Sequence, residues 1–231
     1  MIPAYNEGEN IRATLRGITE ATSVSPLEIL VVYDFDEDTT VPVVQDLQGE
    51  LPAVRLHKNE LGRGVLKALR SGLAAAQAPH VLVVMADLSD DPADIDRMYV
   101  LAGQGADVVA GSRYMRGGQQ VGGPLLKRTL SRLAGLSLHW LGGIPTHDPT
   151  NNFKLYSRRL LDSVEIESEA GFELAIELTV KAHLLGMRVA EVPTTWRDRT
   201  AGTSRFQLRK WLPHYLRWYR RGLAGRFARR R

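Results

Sequence analysis

Through the first half of the chain, short runs of Val, Ile and Leu alternate with stretches in which apolar residues recur every three or four positions, the pattern of a parallel sheet covered by helices. Met1-Ile2-Pro3 reads as the end of a first strand whose earlier residues are expected upstream of residue 1. Glu28 to Tyr33, Val54 to His57, His80 to Met85 and Asp107 to Gly111 read as further strands, with helices predicted near 41–49 and 62–77. Ile11, Leu15 and Ile18 share one helical face, and Asn6 with Glu9 three positions later has the form of a capping box. Asp91-Pro92 supplies a cap and a first-turn proline for a helix carrying Ile95, Met98 and Leu101.

The second half is less regular. A loop with Gly117, Gly118, Gly122 and Gly123 leads to a predicted helix near 124–141, then come a strand Phe153 to Tyr156, a helix near 171–185 and a strand Arg188 to Val192. From about Gln207, Leu208, Trp211, Leu212, Tyr215, Leu216 and Tyr219 stand at helical spacing among Arg209, Lys210, Arg217, Arg220 and Arg221. That is a basic amphipathic helix, expected to bend near Pro213.

Composition bounds this picture. With 231 residues and 44% hydrophobic content the chain can bury one sizeable core, so a single domain is the default. Without cysteine, any metal must be held by oxygen or imidazole ligands. The net charge of +4 hides an asymmetry: Arg205 to Arg231 contains ten Lys or Arg and no acid, so the rest of the chain is net negative. A basic tail attracts phosphate surfaces. No apolar run approaches the roughly 20 residues that span a bilayer.

In open parallel sheets, ligands bind beyond the carboxyl ends of the strands. Four predicted strand ends carry candidate groups: Pro3-Ala4-Tyr5-Asn6-Glu7, Asp34-Phe35-Asp36-Glu37-Asp38, Ala86-Asp87-Leu88-Ser89-Asp90-Asp91, and Gly111-Ser112-Arg113-Tyr114. Singly, each acid is explained as a turn or cap residue; together they outline an acidic crevice on one sheet edge, suited to a hard cation and a diphosphate.

These segments resemble glycosyltransferase family 2, and among its members the polyprenyl-phosphate branch similar to dolichol-phosphate mannose synthase. The resemblance implies an α/β GT-A-type fold with a mostly parallel central sheet flanked by helices. It implies nucleotide-sugar binding by Pro3, Tyr5, Glu7, Asp34, Gly62, Gly64 and Asp87, where Asn59-x-x-Gly62-x-Gly64-x-x-x-Ala68-x-x-x-Gly72 is similar to the family's Gly-rich helix start. Asp87 matches the second carboxylate of the family's Asp-x-Asp and Ser89 a further ligand, so both are expected to hold Mg²⁺ or Mn²⁺. Met85 stands in place of the first carboxylate, and a thioether is a poor ligand for such ions. Tyr33 and Phe35 likewise replace an Asp and a Gly in the upstream turn.

Later motifs resemble the same branch: Gly111-Ser112-Arg113-Tyr114-x-x-Gly117-Gly118 with Lys127, Arg128 and Ser131, then Asp148-x-Thr150-Asn151-Asn152-Phe153-Lys154, Glu177, and Glu191-Val192-Pro193 with Arg197, Arg199, Gly202 and Ser204. They imply an acceptor-phosphate site of Arg113, Lys127, Arg128, Ser131, Arg199 and Ser204, with Asp87, Arg113, Asp148 and Arg199 as the catalytic set. A lipid phosphate is already anionic, so it needs no general base to attack the anomeric carbon; the site must instead hold two anions together. The expected reaction is inverting transfer from a nucleotide-diphosphate sugar to a polyprenyl phosphate.

The expected organisation is a GT-A-type domain over residues 1–205 and a basic helix over 206–231, either within that domain or as a membrane extension. Trp211, Tyr215, Trp218 and Tyr219 are candidate interfacial anchors at an anionic membrane surface, which places the protein peripherally on the cytoplasmic face. A membrane-protein partner and a homo-oligomer both stay open. No nucleic-acid recognition motif accompanies the basic tail. Two alternatives remain: a family 2 transferase with a non-lipid acceptor, and a nucleotide-sugar-binding regulator with impaired catalysis.

Overall fold

The computed structural model describes residues 1–198 and 208–228, with the side chains of 208–210 and 226–228 outside the description. Nine strands are described: β1 (Ile2–Pro3), β2 (Ile29–Tyr33), β3 (Val54–Lys58), β4 (His80–Val83), β5 (Val108–Ser112), β6 (Gln119–Val121), β7 (Lys154–Ser157), β8 (Val189–Pro193) and β9 (Thr195–Arg197). The helices are α1 (Gly8–Ala21), α2 (Thr40–Leu47), α3 (Val65–Ala75), α4 (Ile95–Gly103), α5 (Leu125–Trp140), α6 (Arg158–Ser163), α7 (Leu174–Leu184) and α8 (Leu208–Ala228).

Strands β1, β2 and β3 form a parallel sheet in that order, and β4, β7, β5 and β8 form a second. Met1 joins them: its amino group donates to Leu82 O at 2.7 Å and its carbonyl accepts from Val84 N at 3.1 Å. Only β7 runs against its neighbours β4 and β5, while β5 and β8 are parallel. The loops after β1, β2, β4 and β5 therefore open on one edge, and so does the segment that enters β7.

The alternation of side chains across a strand sorts the core into two faces. Ile29 and Val31 of β2 pack with Ile11 and Leu15 of α1 and Met98 of α4, whereas Leu30 and Val32 pack with Leu69 and Leu73 of α3 and Leu178 of α7. Helix α7 is buried nearly all round, because Leu174 and Leu178 face the sheet while Ile176 and Val180 face a third cluster with Leu138, Ile144 and Trp218.

Two expectations are corrected. The Asn6/Glu9 capping box does not form: Asn6 has φ 54°, its side chain accepts from Thr39 N at 3.3 Å, and Glu7 is the residue that precedes α1. Asp38 takes the linking role instead, accepting Asn6 N at 3.0 Å and Thr40 N at 2.8 Å, so it ties the loops after β1 and β2 together. Gly72 serves the packing of α3 on the sheet: a Cβ there would fall 2.2 Å from Met1 Cε and 2.8 Å from Val32 Cγ2.

The second correction concerns α8. Pro213 lies within the helix, and Trp211 and Trp218 face inward. Trp218 is 1% exposed, with Lys181 Nζ 5.0 Å from its ring centre, and Trp211 stacks on Phe172 at 4.6 Å. Tyr215 and Tyr219 pack against the same cluster. Trp211 and Trp218 are thus core residues, not interfacial anchors. The pair β6–β9 and the helix α6 are elements that the hydrophobic pattern does not announce, since each is only three to six residues long.

Candidate active site

The loops after β1 and β2 form the first part of the site. Pro3 is buried in β1, and Ala4 N donates to Val32 O at 2.8 Å. Tyr5, 37% exposed, stands edge-on to Phe35 with ring centres 5.5 Å apart, and the Arg63 guanidinium lies over Phe35 at 4.6 Å. Glu7 accepts from Asn10 Nδ2 at 2.8 Å. Asp34 bridges to the glycine-rich segment, its two oxygens accepting from Asn59 Nδ2 at 2.7 Å and Gly64 N at 2.8 Å. Asn59 Nδ2 also donates to Gly62 O at 2.8 Å. Gly62 and Gly64 have φ values of 95° and 127°, which favour glycine. Pro3, Tyr5, Glu7, Asp34, Gly62 and Gly64 are thus gathered on one rim.

Two strand positions from β2, at about 10 Å given the spacing of paired strands, the segment after β4 carries Asp87, Ser89 and Asp90, all buried. Ser89 N donates to Asp87 Oδ1 at 3.2 Å, and Met85 N donates to Asp90 Oδ2 at 3.1 Å. Leu88 between them has φ 60°, a strained conformation for a leucine. Arg197 of β9 fastens this loop, its N–H donating to Ser89 O at 2.9 Å. Burial, helped by the neighbouring Asp87 charge against the Met85 hydrogen bond, pushes the Asp90 carboxyl up to about 7.

The donor set supports a hard cation only in part. Asp87 and Ser89 offer oxygen ligands, Met85 offers sulfur, and no group of three or more His, Asp or Glu able to hold a metal occurs among the described residues. Such a set fits an ion that takes its remaining ligands from diphosphate oxygens and water.

The other wall is built around Arg113, at the end of β5. Its Nε donates to Asp148 Oδ2 at 2.6 Å and its Nη2 to Asp148 Oδ1 at 2.9 Å, with Ser131 Oγ and Thr150 Oγ1 each at 3.3 Å from Nη2. Burial alone would raise Asp148, but the Arg113 charge and hydrogen bonds, helped by Lys154, hold it below the ordinary carboxylate range. The Lys154 ammonium, fully buried, donates to the carbonyls of Asp148 and Asn151. Glu191 of β8 fixes the same turn, accepting from Thr146 Oγ1 at 2.9 Å, His147 N at 2.8 Å and His147 Nδ1 at 2.6 Å. Arg113 is therefore already engaged in a buried ion pair with Asp148.

Beside it lies a cavity of about 170 Å³, lined by Arg113, Tyr114, Gln120, Arg128 and Arg132 among others. Sequence reading does not single out Arg132, although its position one helical turn after Arg128 puts both on one side of α5. Lys127 stands on the same helix and Ser131 bonds Thr150 Oγ1 at 2.7 Å. Glu177 is a clamp on the chain, not a site group, accepting Glu167 N at 2.6 Å and Ser168 N at 2.8 Å. Arg199, Gly202 and Ser204 lie outside the described residues.

A donor rim of parallel strands, a carboxylate loop after β4 and an arginine-lined wall reached through β5, β7 and α5 define a glycosyltransferase of GT-A type. The chain belongs to glycosyl transferase family 2, whose model matches residues 1–164. It is similar to a polyprenol monophosphomannose synthase of Mycolicibacterium smegmatis, 31% identical over 243 residues that cover 100% of this chain and 89% of the relative. An undecaprenyl-phosphate mannosyltransferase of Micrococcus luteus is 31% identical, over 89% of this chain and 85% of that protein. A dolichol-phosphate mannosyltransferase of Pyrococcus furiosus is 28% identical, over 90% of this chain and 58% of that one. Glucosyl-3-phosphoglycerate synthase of Mycobacterium tuberculosis, solved with UDP, has a similar fold: TM-score 0.68 at 19% identity, over 97% of this chain and 78% of that one.

Proposed function

We propose that the protein transfers a sugar from a nucleotide diphosphate to a polyprenyl phosphate with inversion at the anomeric carbon, at the cytoplasmic face of a membrane. The observation that carries this reading is the cavity lined by Arg113, Arg128 and Arg132 beside the loop after β5, which opens on the same sheet edge as the loop after β4 that carries Asp87; this suits a phosphate acceptor near a diphosphate donor. The three relatives named above are mannose synthases or mannosyltransferases acting on polyprenyl or dolichyl phosphates, which supports mannose as the sugar and a polyprenyl phosphate as the acceptor.

In this reading Tyr5, Glu7, Asp34 and the Gly62–Gly64 segment hold the nucleoside end of the donor. Asp87 and Ser89 would hold Mg²⁺ or Mn²⁺, an ion that would supply positive charge beside the departing diphosphate. Crystals of the glucosyl-3-phosphoglycerate synthase contain Mn²⁺ with UDP-glucose, in keeping with such an ion. Arg128 and Arg132, with Lys127, Ser131, Arg199 and Ser204, surround the acceptor phosphate, and the Arg113–Asp148 pair sets the shape of that wall. An acceptor oxygen forms the bond to the anomeric carbon as the bond to the nucleotide diphosphate breaks; no proton has to move. Asp148, bound to Arg113 and held ionised, organises the site and is not a base.

The test is an assay of nucleotide sugars against a short polyprenyl phosphate with Mg²⁺ or Mn²⁺. Transfer that requires the lipid phosphate is the expected result, and transfer only to non-lipid acceptors would overturn it. Met85 in place of a carboxylate favours a second reading, a nucleotide-sugar-binding regulator. Donor binding without turnover in either metal would establish it.

A further inference from the structure

One carboxylate fastens the turn that leads into β7. Glu191 of β8 pairs with Ala110 of β5, and its side chain, 12% exposed, reaches across to residues 146 and 147. Its Oε2 accepts from the Thr146 hydroxyl at 2.9 Å and from His147 N at 2.8 Å, while Oε1 accepts from His147 Nδ1 at 2.6 Å. The Thr146 hydroxyl, its proton directed at Glu191, accepts in turn from Asp148 N at 3.1 Å. A single hydroxyl thus links Glu191 to the residue whose carboxylate holds Arg113.

Helix α5 grips the same turn from the other side. The His147 ring lies on His139, with centres 3.9 Å and planes 25° apart. His139 Nδ1 meets Ile144 O at 2.9 Å; a carbonyl only accepts, so that nitrogen carries the proton. The Glu191 carboxylate on His147 Nδ1 fixes the same tautomer there. Gly135 brings the helix into backbone contact with the turn, since a Cβ would lie 2.2 Å from His147 O. Arg128 and Arg132 of α5 line the cavity together with Arg113, whereas Glu191, Thr146 and His147 do not. Glu191 therefore stands behind both sides of the cavity: behind Arg113 through Thr146 and Asp148, and behind α5 through His147 and His139.

We propose that Glu191 is a positioning residue for the acceptor, a role that rests on the transfer reading. By holding residues 146–148 between β5 and α5 it sets the spacing of Arg113 from Arg128 and Arg132, and so the affinity for a phosphate-bearing acceptor, without touching either substrate. Three donors converge on this side chain, and an amide of the same shape cannot satisfy them all. In Glu191→Gln the amide oxygen can keep the Thr146 and His147 N contacts, but the amide nitrogen then faces His147 Nδ1–H. Donor meets donor unless His147 moves its proton to Nε2.

The experiment compares the parent, Glu191→Gln, His147→Phe and the double variant. Histidine nitrogen shifts read the tautomer. Calorimetry reads binding of a short, water-soluble polyprenyl phosphate and, separately, of a nucleoside diphosphate with Mg²⁺. In Glu191→Gln, His147 should switch to the Nε2–H form. Acceptor binding should weaken at least about tenfold, the scale of one charge-assisted hydrogen bond, with nucleoside diphosphate affinity within about twofold of the parent. His147→Phe keeps a ring against His139 but loses the ring contact to Glu191, so the double variant should lose less than the product of the two single losses. An unmoved tautomer, unchanged acceptor binding, equal losses for acceptor and nucleoside diphosphate, or losses that simply multiply would overturn the inference. Should Glu191→Gln not fold, His147→Phe decides: a selective loss of acceptor binding supports the role and any other result removes it. A parent that binds polyprenyl phosphate but transfers no sugar sinks the transfer reading and leaves the role of Glu191 standing, whereas a parent that binds none sinks both.

Discussion

The Arg113 guanidinium and the Asp148 carboxylate meet as a two-pronged ion pair, with Asp148 fully buried and contacts of 2.6 and 2.9 Å. The pair joins the end of β5 to the segment entering β7, so it fixes the arginine-lined wall from both sides. Removing one partner strands the other charge in the interior. Asp148→Ala should cost roughly 3–5 kcal/mol of stability, read from urea denaturation, and Arg113→Lys should lower kcat/KM because an ammonium cannot make both contacts at once. An unaltered unfolding midpoint in Asp148→Ala would contradict this account of the wall.

Asp87 sits on the carboxylate loop, whose backbone Ser89 and Arg197 hold in place. Asp87→Ala should leave the melting temperature within a few degrees of the parent and reduce transfer by at least about a hundredfold, the scale for loss of one charge-stabilising group. Calorimetric titration of a nucleoside diphosphate should show that Mg²⁺ no longer enhances its binding. Undiminished metal enhancement would remove Asp87 from the cation site.

Burial pushes the Lys154 ammonium down to about 7 from 10.5; Asp148 offsets part of this and Arg113 adds to it. Between those values the unfolded chain carries a proton that the folded protein lacks, so this group makes stability rise with pH across the window. Below about 7 both states are protonated, and the cost of burying the charge is felt in full. The slope of stability against pH between 7.5 and 9.5 should be more positive, by up to about 1.4 kcal/mol per pH unit, in the parent than in Lys154→Met. Parallel curves for the two proteins would refute it.

The donor half of the molecule was largely legible in the sequence, because β1 to β4 and the helices between them follow one hydrophobic period each and the acids stand at strand ends. The acceptor half was less so. Arg113 and Asp148 are 35 residues apart, and no periodicity announces that β7 runs backwards between β4 and β5 to bring them together. Arg132 reads as surface charge until α5 is placed against the loop after β5. The aromatics of α8 misled for a related reason: helical spacing shows that Trp211, Trp218 and Tyr219 lie along a helix but not whether its apolar side meets protein or lipid, and α7 and α5 were there to receive them.

Gly135 is the contact point of α5 with the turn before Asp148. A methyl group there meets backbone, so Gly135→Ala should shift the helix, cost about 1–3 kcal/mol and reduce transfer through displaced Ser131 and Arg128. A raised KM for the acceptor with an unchanged donor affinity is the expected signature. If donor binding falls equally, α5 does not act on the acceptor wall alone.

Trp218 closes the cluster between α5, α7 and α8. Trp218→Ala should destabilise the protein by about 3–5 kcal/mol, measured by denaturation, because α8 belongs to the folded domain. A stable Trp218→Ala protein would restore α8 to the status of a separate appendage.

The single reversed strand has an evolutionary corollary. Because β7 points the opposite way, the turn that precedes it reaches the same edge as the turns that follow its neighbours, and the acceptor wall is fed by a stretch of chain that the donor rim does not use. Insertions or exchanges between Leu141 and Asp148 can thus reshape the proposed acceptor wall while the turns after β1 and β2, proposed to hold the nucleotide, keep their register, so that one inherited half can serve many recipients.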